Sequence, residues 1–149
     1  MAHQPLDVET QRPPHNDSGN IAFDPENYVG DHDAVYMAKV AAKAYARIVK
    51  AWQLDDLSAR KMISADLQTW EQIKSGTWSK PFEKEQLMCI SAIVNLYGAL
   101  HSCFNDDLAD RWVKRPNKGL IFSGRKPVDA TIEGGLPVMV EIRCYIIAG

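Results

Sequence analysis

Leu87, Ile90, Val94, Tyr97, His101 and Phe104 recur at steps of three, four, three, four and three residues. That spacing returns each side chain to one face of a helix but scatters them over both faces of a strand, so it predicts a long amphipathic helix. Ile93 and Leu100 widen the stripe and make this segment the expected spine of a core. Pro81 suits the helix's first turn, where its missing N–H costs nothing.

Helical spacing extends to both sides. Asp33 suits an N-cap, and Met37, Val40, Ala41, Ala44, Ile48 and Trp52 follow at helical steps. Shorter helices read over about 56–63 and 67–74, joined by Ser64-Ala65-Asp66, with Asp66 as a cap and Ser75-Gly76 as a stop. Asn105 caps a further helix. Asp106 and Asp107 favour its positive end, Leu108 and Trp112 share a face, and Pro116 marks its close. Residues 117–130 read as an irregular loop. A last helix over about 135–147 is expected to align Leu136, Met139, Val140, Arg143 and Ile147 on one side. No strand pattern or internal repeat competes, and the expected fold is all-α.

Residues 1–30 contrast with this body. Pro13-Pro14, the polar run Asn16 to Asn20 and Asp24-Pro25 break any period. Too few apolar groups are present to offset the entropy of ordering, so an acidic, disordered leader is expected. A solvated tail without a role is its simplest reading. Residues 1–33 carry seven acids against Arg12, a net of −6; the whole chain is −2, which leaves +4 for the remainder. So small a positive balance does not by itself argue for nucleic acid. The start has no basic and apolar signal pattern, and no apolar run approaches a membrane span, so a cytoplasmic protein without membrane attachment is expected. Its 149 residues are enough for one domain with a real core.

Little points to catalysis. Cys89 and Cys103 fall on one helix, about 21 Å apart, beyond disulfide reach, and no cysteine pattern fits a metal. Buried free thiols are expected. Three of the four histidines lie in the leader, and His101 sits on the apolar stripe as a hydrogen-bonded core histidine. No nucleophile–base pair, phosphate loop or carboxylate pair is evident, so neither an enzyme nor a cofactor is expected. The two short helices resemble a helix-turn-helix. Gln68 and Gln72 could read adenine edges and Thr69 a phosphate or methyl, whereas Asp66 and Glu71 would repel phosphates. The shape could equally be kept for packing alone. From Arg111 to Lys126 there are six bases and no acid (Arg111, Lys114, Arg115, Lys118, Arg125, Lys126). This is either a solvated face or a binding loop. Ile121 and Phe122 favour the latter, because exposed apolar groups among charges mark interfaces.

A longer pattern is more specific. The run Leu87 to Ser91 continues through Leu96-Tyr97-Gly98-Ala99-Leu100 and Phe104-Asn105-Asp106. Trp112, Pro116-Asn117, Phe122-Ser123-Gly124 and Pro127 follow, then Gly134-Gly135 and Val140 to Ile146. In order and spacing, over about residues 45–149, this resembles the Xre/MbcA/ParS family of antitoxins. Val128 stands where that family leads one to expect leucine, the tail after Ile146 is minimal, and the helix-turn-helix is the least matched part. The resemblance implies a helix-turn-helix-like region over 31–80 and a helical toxin-binding domain over 81–149. It implies as partner a RES-domain toxin that consumes NAD, by degrading it or by transferring ADP-ribose. The toxin-binding role then falls on Asn117, Lys118, Phe122, Arg125 and Lys126 in the loop. On the last helix it falls on Arg143, Tyr145, Ile146 and the Gly149 terminus. Tyr145, Ile146 and the Gly149 carboxylate would enter the toxin's NAD site, and Arg143 would pair with an acid there or, alternatively, with this chain's own Asp129 or Glu133. A homodimer within a symmetric toxin–antitoxin complex is also implied. The alternative function is a transcription regulator that acts mainly on its own operator DNA.

Overall fold

The described residues of the computed structural model, 31–149, form seven helices and no strand. The all-α expectation is met. The expected leader, 1–30, lies outside the described residues. The first helix, α1, spans Asp31–Trp52, so Asp33 lies within it rather than capping it. Two short helices follow, α2 (Asp56–Met62) and α3 (Leu67–Ser75). Asp55 and Asp66 cap them: their Oδ1 atoms accept the backbone N–H of Ser58 and of Thr69, each at 2.7 Å.

The first three helices end alike. Gln53, Ser64 and Gly76 adopt φ of 55°, 53° and 81°. The following amide then reaches back five residues: Leu54 to the Val49 carbonyl at 3.0 Å, Ala65 to Arg60 and Thr77 to Gln72 at 2.9 Å each. Such closures satisfy carbonyls that a helix end leaves open. Only Gly76 advertises its stop, because glycine alone enters that region without a Cβ penalty.

Tyr45 ties this half together. Its hydroxyl donates to the Ala59 carbonyl at 2.6 Å, and its ring meets Trp70 edge-on with centroids 5.9 Å apart. Burial drives its phenol far above the ordinary range. Trp70 in turn donates from Nε1 to Asp56 at 3.0 Å, linking α3 to α2. Tyr45 was missed as a core residue; the buried face of α1 runs through Ala38, Ala41, Tyr45, Ile48 and Trp52, leaving Met37, Val40 and Ala44 at its edge.

α4 (Lys84–Cys103) is the spine, packed by α1, α7 and α5. Leu87, Ile90, Ile93, Leu96 and Leu100 are buried, whereas Val94, Tyr97, His101 and Phe104 are half-buried. The buried arc is therefore rotated from the expected stripe, because neighbours clad the helix on two sides. Pro81 precedes the helix instead of opening it. By length and hydropathy α4 alone among the described residues could cross a membrane, which qualifies the expectation that no such run exists; here it is the core helix.

α5 (Asp106–Trp112) is capped by Asn105, whose Oδ1 accepts the Leu108 amide at 2.9 Å. α6 (Pro127–Gly134) corrects the loop expected over 117–130: Pro127 opens a helix at its first position, where its fixed φ is an advantage. α7 (Leu136–Ala148) buries Met139, Ile142 and Ile146. Val140 and Ile147 are 51% and 54% exposed, so the expected face is corrected too. Apolar residues occur nearly all round this helix, and spacing alone could not choose a side. A glycine pair makes the α6–α7 turn. A Cβ on Gly134 would collide with a Val138 methyl, and Gly135 sits at φ +71°, ψ −152°, a region side chains exclude.

Candidate functional site

The loop between α5 and α6 closes on itself. Asn117 donates its amide to the Arg125 carbonyl at 3.1 Å, and its own carbonyl accepts from Gly124 at 2.9 Å. Its side-chain Oδ1 accepts the Gly119 amide at 2.7 Å, a local turn that asparagine favours. The Gly119 carbonyl then accepts from Phe122 and Ser123 at 3.0 and 3.1 Å. Gly119 is closely surrounded: a Cβ there would sit 3.1 Å from the Asn117 Oδ1 and from the Tyr145 hydroxyl.

Phe122 plugs this loop into the body. It is fully buried, edge-on to Trp112 at 5.7 Å and to Tyr145 at 5.5 Å. This corrects its assignment as an exposed contact. The residue that the loop does present is Leu120, 96% exposed at its crest. Leu120 was missed. The available clue was its place between Gly119 and Ile121, but one apolar residue beside two others carries no signal of which is inward.

Half of the basic stretch is engaged, two bases by acids and one by a backbone carbonyl. Arg111 pairs with Asp107 at 2.8 Å, Lys114 donates to the Gln53 carbonyl at 3.1 Å, and Arg125 pairs with Glu133 while its Nε donates to the Phe122 carbonyl at 3.0 Å. Arg125 is therefore a brace of the loop and not a free contact. Arg115, Lys118 and Lys126 are exposed and form no ion pair among the described residues.

The last helix divides its candidates. Tyr145 is 46% exposed and leans on the loop through Phe122. Ile146 is buried, only 6% exposed, which corrects its assignment as a contact; its carbonyl faces the Cys103 Sγ at 3.9 Å. Arg143 is exposed and lines a shallow cleft of about 300 Å³ with Met88, Ala92, Asn95, Leu136 and Val140. Residues two apart on a helix point roughly 200° apart, so Arg143 and Tyr145 serve different surfaces. Glu133 is occupied by Arg125, so the expected alternative of an Arg143–Glu133 pair is not what forms. Gly149 is exposed, its amide donating to the Tyr145 carbonyl at 3.3 Å. The structure thus brings together Asn117, Lys118, Leu120, Phe122 and Tyr145, and sets Arg143 apart.

No family model, curated protein or solved structure matches the chain. The site's chemistry therefore rests on its own geometry.

Elsewhere, His101 is clamped rather than buried in apolar surroundings. Its Nδ1 lies 2.8 Å from Asp106 and its Nε2 2.8 Å from Asp110. Burial by itself would lower the imidazole's pKa, but the bonds to Asp106 and Asp110 outweigh it and the net shift is upward. With both nitrogens engaged, the ring has no free lone pair with which to act as a base. Cys89 is buried and its thiol is pushed up by that burial, whereas Cys103 and Cys144 are exposed, which corrects the expectation of buried thiols. No group of three metal-ligating side chains occurs among the described residues. On α3, Gln68 is exposed and Thr69 and Gln72 are half-buried. The Asp66 carboxylate sits at that helix's first turn, held below the usual carboxylate range by the Thr69 amide.

Proposed function

We propose that the chain is an antitoxin-type inhibitor that binds a RES-domain, NAD-consuming toxin and blocks its active site through the 117–125 loop and the exposed edge of α7. The observation that carries this reading is Leu120, held out at 96% exposure on a loop whose own hydrogen bonds fix its shape. A preorganised anchor loses little entropy on binding, which is where inhibitors gain affinity. Lys118 and Arg115 flank it as cations without an ion pair among the described residues and Tyr145 supplies an aromatic edge, a composition suited to an apolar cleft with an acidic rim. The family resemblance over 45–149 supports the same assignment. Operator binding through Gln68, Thr69 and Gln72 remains the second reading, favoured by the paired, aspartate-capped short helices and opposed by the Asp66 carboxylate at the reading end.

The test is NAD consumption by a purified RES-domain toxin encoded beside this chain's gene. One equivalent of the chain is expected to stop the reaction. Undiminished consumption in excess chain would remove the proposal. A gel-shift on the chain's own promoter would then decide the second reading.

A further inference from the structure

Between α1 and α3 lies a cavity of about 880 Å³. Its floor is apolar, with Ala42, Ala46, Val49 and Ile73, and Trp70 and Trp78 stand at its α3 side. Its rim is cationic. Lys39, Lys43, Arg47 and Lys50 follow one another down one edge of α1, with Lys74 opposite. Only Lys74 is paired, with Asp56 at 3.2 Å; the four cations of α1 form no ion pair among the described residues. Trp78 adds a donor in want of an acceptor, since its indole Nε1 is shut off from solvent and has no hydrogen-bond partner among the described residues. Unpaired cations beside an apolar trough call for an occupant that is acidic and carries large apolar side chains.

The chain itself contains such a segment. Residues 21–29 read Ile-Ala-Phe-Asp-Pro-Glu-Asn-Tyr-Val, with Asp24 and Glu26 set among Ile21, Phe23, Tyr28 and Val29. They directly precede α1, and Gly30 at the junction permits a reversal of direction. The register fits. From the start of α1 at Asp31, Lys43 lies about 18 Å and Arg47 about 24 Å along the helix. Glu26 and Asp24 are separated from Asp31 by five and seven residues, which in extended chain span about 17 and 23 Å. By length alone, an extended segment running back along α1 would reach Lys43 with Glu26 and Arg47 with Asp24.

We propose that the groove is the docking site of this chain's own residues 21–29, seated antiparallel to α1 with Phe23 and Tyr28 towards the apolar floor. The acidic segment offsets part of the charge of the α1 stripe and keeps other acidic or polyanionic ligands out of it. This proposal does not depend on the toxin reading.

The test couples carboxylates to lysines in the full chain with a zero-length carbodiimide reagent and maps the links in monomeric material by mass spectrometry. Asp24 and Glu26 are expected to couple to Lys39, Lys43 and Lys50, and not to Lys114 or Lys118. In K43E/R47E, whose changes fall on exposed side chains, coupling to the remaining Lys39 and Lys50 falls about tenfold. In F23S/Y28S, which keeps every carboxylate, it falls as well. Coupling spread evenly over distant lysines, or unchanged in both variants, overturns the proposal. A labelled single-stranded oligonucleotide gives the second readout. It should bind D24N/E26Q more tightly than the parent, and through the groove lysines. Equal binding to both would show the groove open in the parent and would also overturn it.

Discussion

Two sets of basic residues behave oppositely. From 111 to 126 six bases crowd one stretch of sequence, yet Arg111, Lys114 and Arg125 are spent on Asp107, the Gln53 carbonyl and Glu133. Along α1, Lys39, Lys43, Arg47 and Lys50 make a comparable run, four bases in twelve residues, yet none forms an ion pair among the described residues. Charge density along a chain and on a surface are different quantities. A loop brings its bases close to backbone carbonyls and to neighbouring helix ends, which consume them. α1 carries no acid one turn from its bases and consumes none, whereas on α5 Arg111 meets Asp107 one turn back. What remains distinctive of the loop is apolar: Leu120 outward and Phe122 inward.

That contrast can be broken first at Phe122. Phe122→Ala removes a fully buried ring between Trp112 and Tyr145. A loss of about 3–5 kcal/mol in urea unfolding is expected. Less than about 1 kcal/mol would mean that the loop is not anchored by its plug.

A pH series tests the His101 clamp next. The folded-state pKa of His101 is raised above its unfolded value. Its contribution is therefore fully present below about pH 6.5 and lost as pH rises through the folded value. The stability difference between the parent and His101→Gln should be largest at pH 5 to 6 and shrink towards pH 9. A difference that grows with pH contradicts the clamp.

The Arg125–Glu133 brace is expected to matter less. The pair is substantially exposed, at 41% and 65% of side-chain surface, so screening limits it. Arg125→Ala also loses the bond to the Phe122 carbonyl, and about 1 kcal/mol in all is expected. Glu133→Gln, which spares that bond, should cost less than half as much by the same unfolding measurement. Equal costs would assign the brace to the ion pair alone.

The sequence was most legible where chemistry is local. Asp66 and Asn105 were readable as caps because a cap is made by a side chain and an amide three residues away. Gly76 was readable as a stop for the same reason. Tyr45 was not, because its partners Ala59 and Trp70 come from other helices. Ile146 and Phe122 were assigned outward and lie inward, since both depend on how α7 and the loop dock. Pro127 falls within the stretch expected as loop, although a proline preceded by Lys126 and followed by Val128 and Asp129 also begins a helix. The opposite directions of Arg143 and Tyr145 follow from helix geometry alone and could have been drawn at the outset.

The most direct measurement sets the two surfaces against each other on one partner. Calorimetric titration of a purified RES-domain toxin is compared for the parent, for Leu120→Asp and for Lys43→Glu/Arg47→Glu. The account predicts that Leu120→Asp loses on the order of 2 kcal/mol, about thirtyfold in affinity, while the α1 variant binds like the parent. Loss of affinity in the α1 variant with Leu120→Asp unchanged would place the binding surface on the other half of the molecule and contradict the account.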